Sequence, residues 1–276
     1  MAIEKNKNLS PDILNISDYT IENYSDYGDS GMLYLATSKK NSSEKYILKH
    51  QYFDCACNEY MYSQIGNKIG VKIAPVKLFI VDEKESIFKT PCVCGIKYLD
   101  SSEHVSFKYV EENKNSIKNW QDYIKIISLE SIFEESDGIE VLKYNNEIYR
   151  IDTTDSFISE YFISGLFNNK LSNNEREIFK NMLLKSAERN SKYRIMGWKL
   201  NLENFIKNYG KEYKNIYLKP FKDLNKISSK DIKTWTKKLE EIYPPVIERF
   251  FVTYFEYLNK DIKLFLKELQ NNWKWF

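Results

Sequence analysis

Residues 45–79 read KYILKHQYFDCACNEYMYSQIGNKIGVKIAPVKLF, and they carry the clearest structural pattern of the chain. An apolar β-type run ends at Lys49, and a helical pattern follows, because apolar residues recur at every fourth position. These residues are Met61, Ile65 and Ile69. Gly70 stands where a helix-terminating glycine belongs, and another β-type run follows it. The stretch therefore predicts a sheet that carries one helix, Cys57–Lys68.

The rest of the chain divides near residue 150 into a part rich in β-type runs and a helical part. The predicted strands are Met32–Thr37, Lys45–Lys49, Val76–Val81, Ile87–Lys89 and Cys92–Tyr98. The other predicted helices are Ile117–Phe133, Phe157–Phe167, Asn174–Glu188, Asn201–Lys207, Ser229–Ile242 and Val246–Trp273. We therefore expect an α+β chain with two lobes, a small β-rich lobe over residues 1–100 and a helical lobe over residues 101–276.

The overall charge argues against two classes of partner. The formal net charge is +2 with 29% charged residues, so no strong field attracts the chain to nucleic acid or to an anionic membrane. No apolar stretch approaches the ~20 residues that a membrane span needs, and the first thirty residues contain no apolar export signal. We expect a cytoplasmic protein without nucleic-acid or membrane partners.

Four cysteines fall in two pairs, Cys55/Cys57 and Cys92/Cys94. The Cys-x-Cys spacing puts both sulfurs on one face of a strand, so a four-thiolate zinc site is one alternative. Structural zinc sites more often use a Cys-x₂-Cys spacing, and Cys57 stands where the predicted helix begins. We expect reduced cytosolic thiols rather than zinc ligands.

A turn with two glycines precedes these elements, in residues 24–35, YSDYGDSGMLYL. Glycine lets backbone N–H groups approach a phosphate, because no Cβ lies in the way. Gly28, Ser30 and Gly31 are therefore candidate phosphate-binding residues. Lys49 then ends a strand, and Glu59 opens the predicted helix ten residues later. In kinases a strand lysine contacts the nucleotide phosphates and an acid of the next helix holds that lysine.

The order of these motifs resembles the N-terminal lobe of protein-kinase-like folds, and most closely that of the HipA-like and CtkA-type kinases. Their helix with an Asn-Glu pair, their Gly-(Ile/Val) step and their Pro-Val strand are similar to three pairs in this chain. The pairs are Asn58-Glu59, Gly70-Val71 and Pro75-Val76. The resemblance covers residues 24–100 and implies a bilobal protein-kinase-like fold.

The resemblance also implies an activity: an ATP-dependent, Mg²⁺-dependent phosphotransferase of the serine/threonine protein kinase type. The acceptor would be a protein or a small molecule. Gly28 and Gly31 would cover the phosphates, Lys49 would neutralise them, and Glu59 would fix Lys49.

Two alignments compete for the catalytic loop that such a protein needs. In the first, residues 133–157 supply Asp137 to orient the acceptor, a hairpin of Val141–Tyr144 and Ile148–Ile151 around the turn pair Asn145-Asn146, and then a metal-binding acid. That acid is Asp152, with Asp155 and Glu140 as further metal ligands.

In the second alignment the family's GN-x-D-R-H-x-x-N loop falls on residues 167–174, and Lys170 replaces the catalytic Asp. The chain would then be a pseudokinase, which acts as a nucleotide-binding or protein-interaction module. We prefer the first alignment, because it keeps the hairpin immediately before a metal-binding Asp. Both alignments depart from the family pattern in the catalytic loop.

Overall fold

The computed structural model of the protein describes most of the chain. The described residues are 12–25, 32–49, 55–81, 88, 92–134, 138–153, 156–158, 162, 166, 170–188 and 190–272. They form an α+β fold in which a six-stranded N-terminal sheet precedes a three-stranded sheet and a group of helices. The predicted α+β class is therefore confirmed. Within these ranges no helix is both long enough and apolar enough to cross a bilayer.

The N-terminal sheet consists of six strands. They are β1 (Ile13–Asn15), β2 (Tyr19–Ser25), β3 (Leu33–Ser38), β4 (Lys45–Lys49), β5 (Val76–Ile80) and β6 (Cys92–Lys97). Strands β2, β3 and β4 form an antiparallel meander, β4 and β5 both pair with β6, and β1 adds to β5 in parallel. The order across the sheet is β1-β5-β6-β4-β3-β2, so β4, the third strand of the meander, lies inside the sheet.

Helix α1 (Cys55–Ile69) packs on one face of this sheet, against β5 and β6. Its predicted apolar positions are buried: Met61, Ile65 and Ile69. Gly66 permits close packing, because a Cβ at this position would lie 2.1 Å from the Ile73 side chain. Gly70 follows the helix at φ 70°, a left-handed conformation that favours glycine. The predicted helix and its glycine stop are confirmed.

A second sheet contains β7 (Glu103–His104), β8 (Glu140–Tyr144) and β9 (Glu147–Ile151). Strands β8 and β9 form the predicted hairpin, and both residues of its Asn145-Asn146 turn have positive φ, 50° and 61°. Asparagine tolerates this conformation better than most residues, which is why it is frequent in two-residue hairpin turns. A parallel bridge between Ile73 and Arg150 joins this hairpin to the segment before β5.

The C-terminal part is helical in the residues that the structure describes. Its helices, with two that precede the hairpin, are α2 (Phe107–Glu112), α3 (Gln121–Phe133), α4 (Asn173–Ala187), α5 (Ser191–Tyr209), α6 (Lys214–Tyr217), α7 (Lys219–Leu224), α8 (Ser229–Leu239) and α9 (Val246–Asn272). Ser172 and Ser228 begin α4 and α8 with capping boxes, each with an acid three residues later. Helix α9 packs against α4, α5 and α8, so it forms the centre of this part.

The predicted strands agree with the structure to within one residue, apart from Ile87–Lys89. Of that segment only Phe88 is described, and it lies outside any strand. Three predicted helices have different bounds, and one of them, Ser229–Ile242, ends earlier, at Leu239. Ile117–Phe133 begins later because the Asn119 side chain pairs with both backbone groups of Ile148, at 2.8 and 2.9 Å, and holds a turn there. Asn201–Lys207 is part of a longer helix, α5.

The predicted helix Phe157–Phe167 is wrong at its start. Phe157 lies in a bend, and its ring is buried among other aromatic rings. The next residue, Ile158, bonds through both its N–H and its C=O to the Asn58 side chain, so these groups do not form helical hydrogen bonds. Further along this segment only Phe162 and Leu166 are described, and both are helical.

Candidate functional site

Lys49 lies at the end of β4, where its side chain points between α1 and the end of β9. Its Nζ is 2.8 Å from Oε1 of Glu59 on α1, and it also forms an ion pair with Oδ1 of Asp152, the residue after β9. The structure therefore brings together three of the predicted site residues. They come from three separate parts of the chain: a central strand, the helix after it, and the end of the hairpin.

Lys49 and Glu59 form a buried ion pair, with 9% and 1% of their side chains exposed. Burial favours the neutral amine, but the carboxylates of Glu59 and Asp152 outweigh burial and raise the pKa of Lys49 above its usual value. Burial also raises the pKa of Glu59, and the adjacent Lys49 charge offsets part of that rise. Lys49 is therefore a fixed positive charge at neutral pH.

Asp152 is the most accessible member of the group, with 26% of its side chain exposed. Its backbone has φ 56°, a left-handed conformation that few residues other than glycine adopt, although aspartate does so more readily than most. One ammonium and two carboxylates give the group a net negative charge when all three are ionised. An accessible carboxylate in a negatively charged group is the type of oxygen ligand that Mg²⁺ prefers.

A buried arginine on β9 holds the surroundings of this group in place. Arg150 is fully buried, and its guanidinium lies 3.0 and 3.4 Å from the two carboxylate oxygens of Glu130 on α3. It also donates to the carbonyls of Gly138 at 2.8 Å and Glu140 at 3.2 Å. Tyr62 of α1 donates its hydroxyl to Glu130 at 2.9 Å. The network connects α1, α3 and the residues before β8.

This network was not predicted, although the sequence contains one signal of it. Along β9 the side chains alternate between faces, so Arg150 shares a face with Ile148. Ile148 is apolar and fully buried, so this face of β9 points into the protein. A charged residue at an inward position predicts a buried ion pair, but the sequence does not identify the partner on another element.

Several predicted site residues lie outside the described residues: Gly28, Ser30, Gly31, Asp137 and Asp155. Glu140 begins β8 with an exposed side chain. Lys170, which replaces the catalytic acid in the second alignment, is exposed, and residues 167–169 before it are not described.

The described cysteine side chains, Cys57, Cys92 and Cys94, are buried thiols. Burial raises the pKa of the Cys92 thiol to about 12 and also raises the pKa of Cys94, so both stay protonated at neutral pH. Among the described residues no set of three or more His, Cys, Asp or Glu side chains is arranged to hold a metal ion. Asp155, one of the predicted metal ligands, lies outside the described residues.

A separate groove of about 720 Å³ lies between the ends of α1, α3 and β9 and does not include Lys49, Glu59 or Asp152. Two of its lysines are already paired: Lys72 with Glu147 at 2.7 Å and Lys125 with Asp122 at 2.6 Å. Size alone does not make this groove the functional site, because two of its three lysines and its Asp122 are already held in ion pairs. The charged group around Lys49 is the better candidate.

Comparison of the chain with protein-family models and with curated proteins finds no match. The geometry around Lys49 and the order of the elements that supply it are therefore the features that bear on function.

Proposed function

We propose that the protein is an ATP-dependent phosphotransferase of the serine/threonine protein kinase type. The observation that carries the proposal is the contact of Lys49 with both Glu59 and Asp152. In protein kinases a strand lysine is held by an acid of the next helix, and a separate Asp binds Mg²⁺ on the phosphates. The three residues here follow the same chain order, and they would take these roles.

The order of elements supports the same proposal. Lys49 ends the third strand of an antiparallel meander, the helix with Glu59 follows directly, and the hairpin β8–β9 delivers Asp152. In kinases the catalytic loop precedes the metal-binding Asp. Because Asp152, the metal-binding acid of the first alignment, contacts Lys49, that alignment, with Asp137 in the loop before the hairpin, is favoured over the second.

The surroundings of Lys49 and Asp152 suit the roles proposed for them. Lys49, protonated and held by the buried Glu59, would contact the phosphates of ATP. Asp152, whose carboxylate is accessible, would hold Mg²⁺. Mg²⁺, when bound, supplies positive charge that neutralises the phosphates. Asp137 would orient the hydroxyl of the acceptor, which is a protein side chain or a small molecule, and Gly28, Ser30 and Gly31 would cover the phosphates.

A nucleotide-binding pseudokinase is the second candidate. The sequence after Asp137 contains Glu140 where kinases place a metal-binding asparagine, and the Glu140 side chain is exposed at the start of β8. Both candidates require ATP binding at Lys49. Phosphate transfer by the wild-type protein distinguishes them.

Calorimetric titration with ATP in the presence of Mg²⁺ tests the proposal. Lys49→Met removes a charge-assisted contact of about 1.5–3 kcal/mol, so we expect ATP affinity to fall by roughly 10- to 150-fold. The matched control is Lys125→Met, because Lys125 is also a mostly buried lysine, with 12% of its side chain exposed, and is paired with Asp122. Equal ATP affinity in the wild type and Lys49→Met would remove Lys49 from the site, and no binding by the wild type would reject both candidates.

A further inference from the structure

Asn58, the residue before Glu59, forms a two-point contact with a distant part of the chain. Its Nδ2 donates to the carbonyl of Ile158 at 2.9 Å, and its Oδ1 accepts from the N–H of Ile158 at 3.2 Å. Asn58 is fully buried, and Ile158 is 100 residues further along the chain. The Asn58 side chain therefore pairs with a backbone as a neighbouring strand would.

The chemistry of this contact is specific to a carboxamide. Only an amide side chain offers a donor and an acceptor side by side, so aspartate, serine or leucine at this position could not satisfy both backbone groups of Ile158 in the same way. A buried backbone N–H and C=O without partners are unfavourable. The contact therefore fixes the position of Ile158 relative to α1.

The residues between Asp152 and Ile158 that the structure describes are anchored as well. Ser156 donates its hydroxyl to the carbonyl of Thr153 at 3.0 Å, which ties Ser156 to the residue that follows Asp152. The Phe157 ring contacts aromatic rings of α1, α3 and α9. These rings are Tyr62, Phe133, Phe251, Tyr254 and Phe255.

The first turns of α1 thus hold both sides of the candidate site. Glu59 pairs with Lys49, and the adjacent Asn58 holds the segment that begins with Asp152. The side chains of Asn58, Tyr62 and Ile65 recur with helical spacing and are all buried, so they lie on the inward face of the helix. Helix α1 is therefore connected both to Lys49 and, through Ile158, to the segment that follows Asp152.

We propose that Asn58 is a positioning residue: by pairing with the backbone of Ile158 it keeps Asp152 against Lys49. The effect of Asn58 on ATP binding rests on the proposed function, but its effect on the position of Asp152 does not. This role of Asn58 differs from general packing, because it concerns one contact, that between Lys49 and Asp152.

The test is the acylation rate of Lys49 in the intact, folded chain, measured by mass spectrometry after a short pulse of an amine-acylating reagent at pH 9. Lys125 is the internal reference, since it is a similarly buried lysine with one aspartate partner. In Asn58→Ala we expect Lys49 to lose the Asp152 contact. Its acylation relative to Lys125 should rise severalfold, because one of the two carboxylates that hold its ammonium group no longer shields it.

Asn259→Ala is the matched control, because the Asn259 side chain also donates to a backbone carbonyl, that of Ile227 at 3.2 Å, but within the helical part. This control should leave the ratio of Lys49 to Lys125 acylation unchanged. If Asn58→Ala folds, as judged by circular dichroism, and the ratio stays at the wild-type value, the proposal is rejected.

If Asn58→Ala does not fold, Asn58→Leu keeps the buried volume and is tested in the same way. Should neither variant fold, hydrogen exchange of the wild type decides: we expect the Ile158 amide to exchange together with the amides of α1. Exchange of Ile158 at a faster rate, independent of α1, would overturn the proposal. None of these measurements requires ATP, so failure of the wild type to bind ATP would reject the proposed function and leave the positioning result standing.

Discussion

Replacing Arg150 with methionine should destabilise the protein more than any surface substitution. The variant keeps a long apolar side chain but removes the guanidinium that lies 3.0 and 3.4 Å from the Glu130 carboxylate oxygens. The carbonyls of Gly138 and Glu140 lose a donor as well. Removal of one partner from a buried ion pair costs roughly 3–5 kcal/mol, because the remaining charge stays buried without its partner. We expect a loss of free energy of unfolding in this range at neutral pH.

The loss of stability in Arg150→Met should also depend on pH, in a direction set by the pKa of Glu130. Burial raises the pKa of Glu130, and Arg150 counteracts that rise. Without Arg150 the pKa of Glu130 in the folded state should rise further, so the folded protein binds a proton more readily than the unfolded chain does. Stability then falls as the pH rises. The destabilisation by Arg150→Met should be larger at pH 8 than at pH 5.

Urea denaturation followed by circular dichroism at both pH values measures these effects. Arg249→Met is the matched control, because Arg249 is exposed on α9, and a surface substitution of this kind usually changes stability by no more than about 0.5 kcal/mol. Adding Glu130→Gln to Arg150→Met should recover part of the loss, since no buried charge then remains. A loss below about 1 kcal/mol, or one that is the same at pH 5 and pH 8, would show that the network is not a buried ion pair of this kind.

Two further predictions concern the catalytic loop and a helix cap. Asp137→Asn should leave ATP affinity nearly unchanged but lower kcat, because an acceptor-orienting acid acts mainly in the transition state. A radiolabelled phosphate-transfer assay with Mg²⁺ or Mn²⁺ measures kcat. Full transfer activity in this variant would exclude Asp137 as the catalytic residue. Asp231→Asn should cost about 1 kcal/mol of stability at pH 7, because Asp231 completes the capping box of α8 with Ser228. Hydrogen bonds from Lys68 and Ser228 lower the pKa of Asp231 to about 2, so its contribution is present above its unfolded pKa and is lost as the pH falls toward 2. Urea midpoints of the two proteins should therefore approach each other as the pH falls from 5 to 2, and a difference that does not shrink over this range would contradict this assignment.

Local sequence patterns predicted much of the N-terminal half and the hairpin. The stop at Gly70 and the turn at Asn145-Asn146 depend on backbone conformations that few residues adopt, so these residues mark them directly. Lys49 and Glu59 were found because their order along the chain matches a known arrangement, and the structure places them 2.8 Å apart.

What the sequence did not predict is set by contacts between distant residues. Asn58 pairs with Ile158 across 100 residues, and this contact breaks the helical pattern that was predicted to begin at Phe157. Arg150 finds its partner Glu130 on α3, 20 residues earlier. Such pairs leave no periodic signal in either segment, because each residue looks like an ordinary polar position until the partner is known.

The most direct test of the proposed site is the Mg²⁺ dependence of ATP binding, measured by calorimetry for the wild type and Asp152→Asn. We expect the affinity of the wild type for ATP to rise when Mg²⁺ is added. Asp152→Asn should lose most of that rise while keeping the affinity for ATP without metal, because Lys49 and Glu59 remain in contact in the variant. Wild-type binding that is insensitive to Mg²⁺, or an Mg²⁺ effect that is the same in Asp152→Asn, would contradict the assignment of Lys49, Glu59 and Asp152 as a nucleotide and metal site.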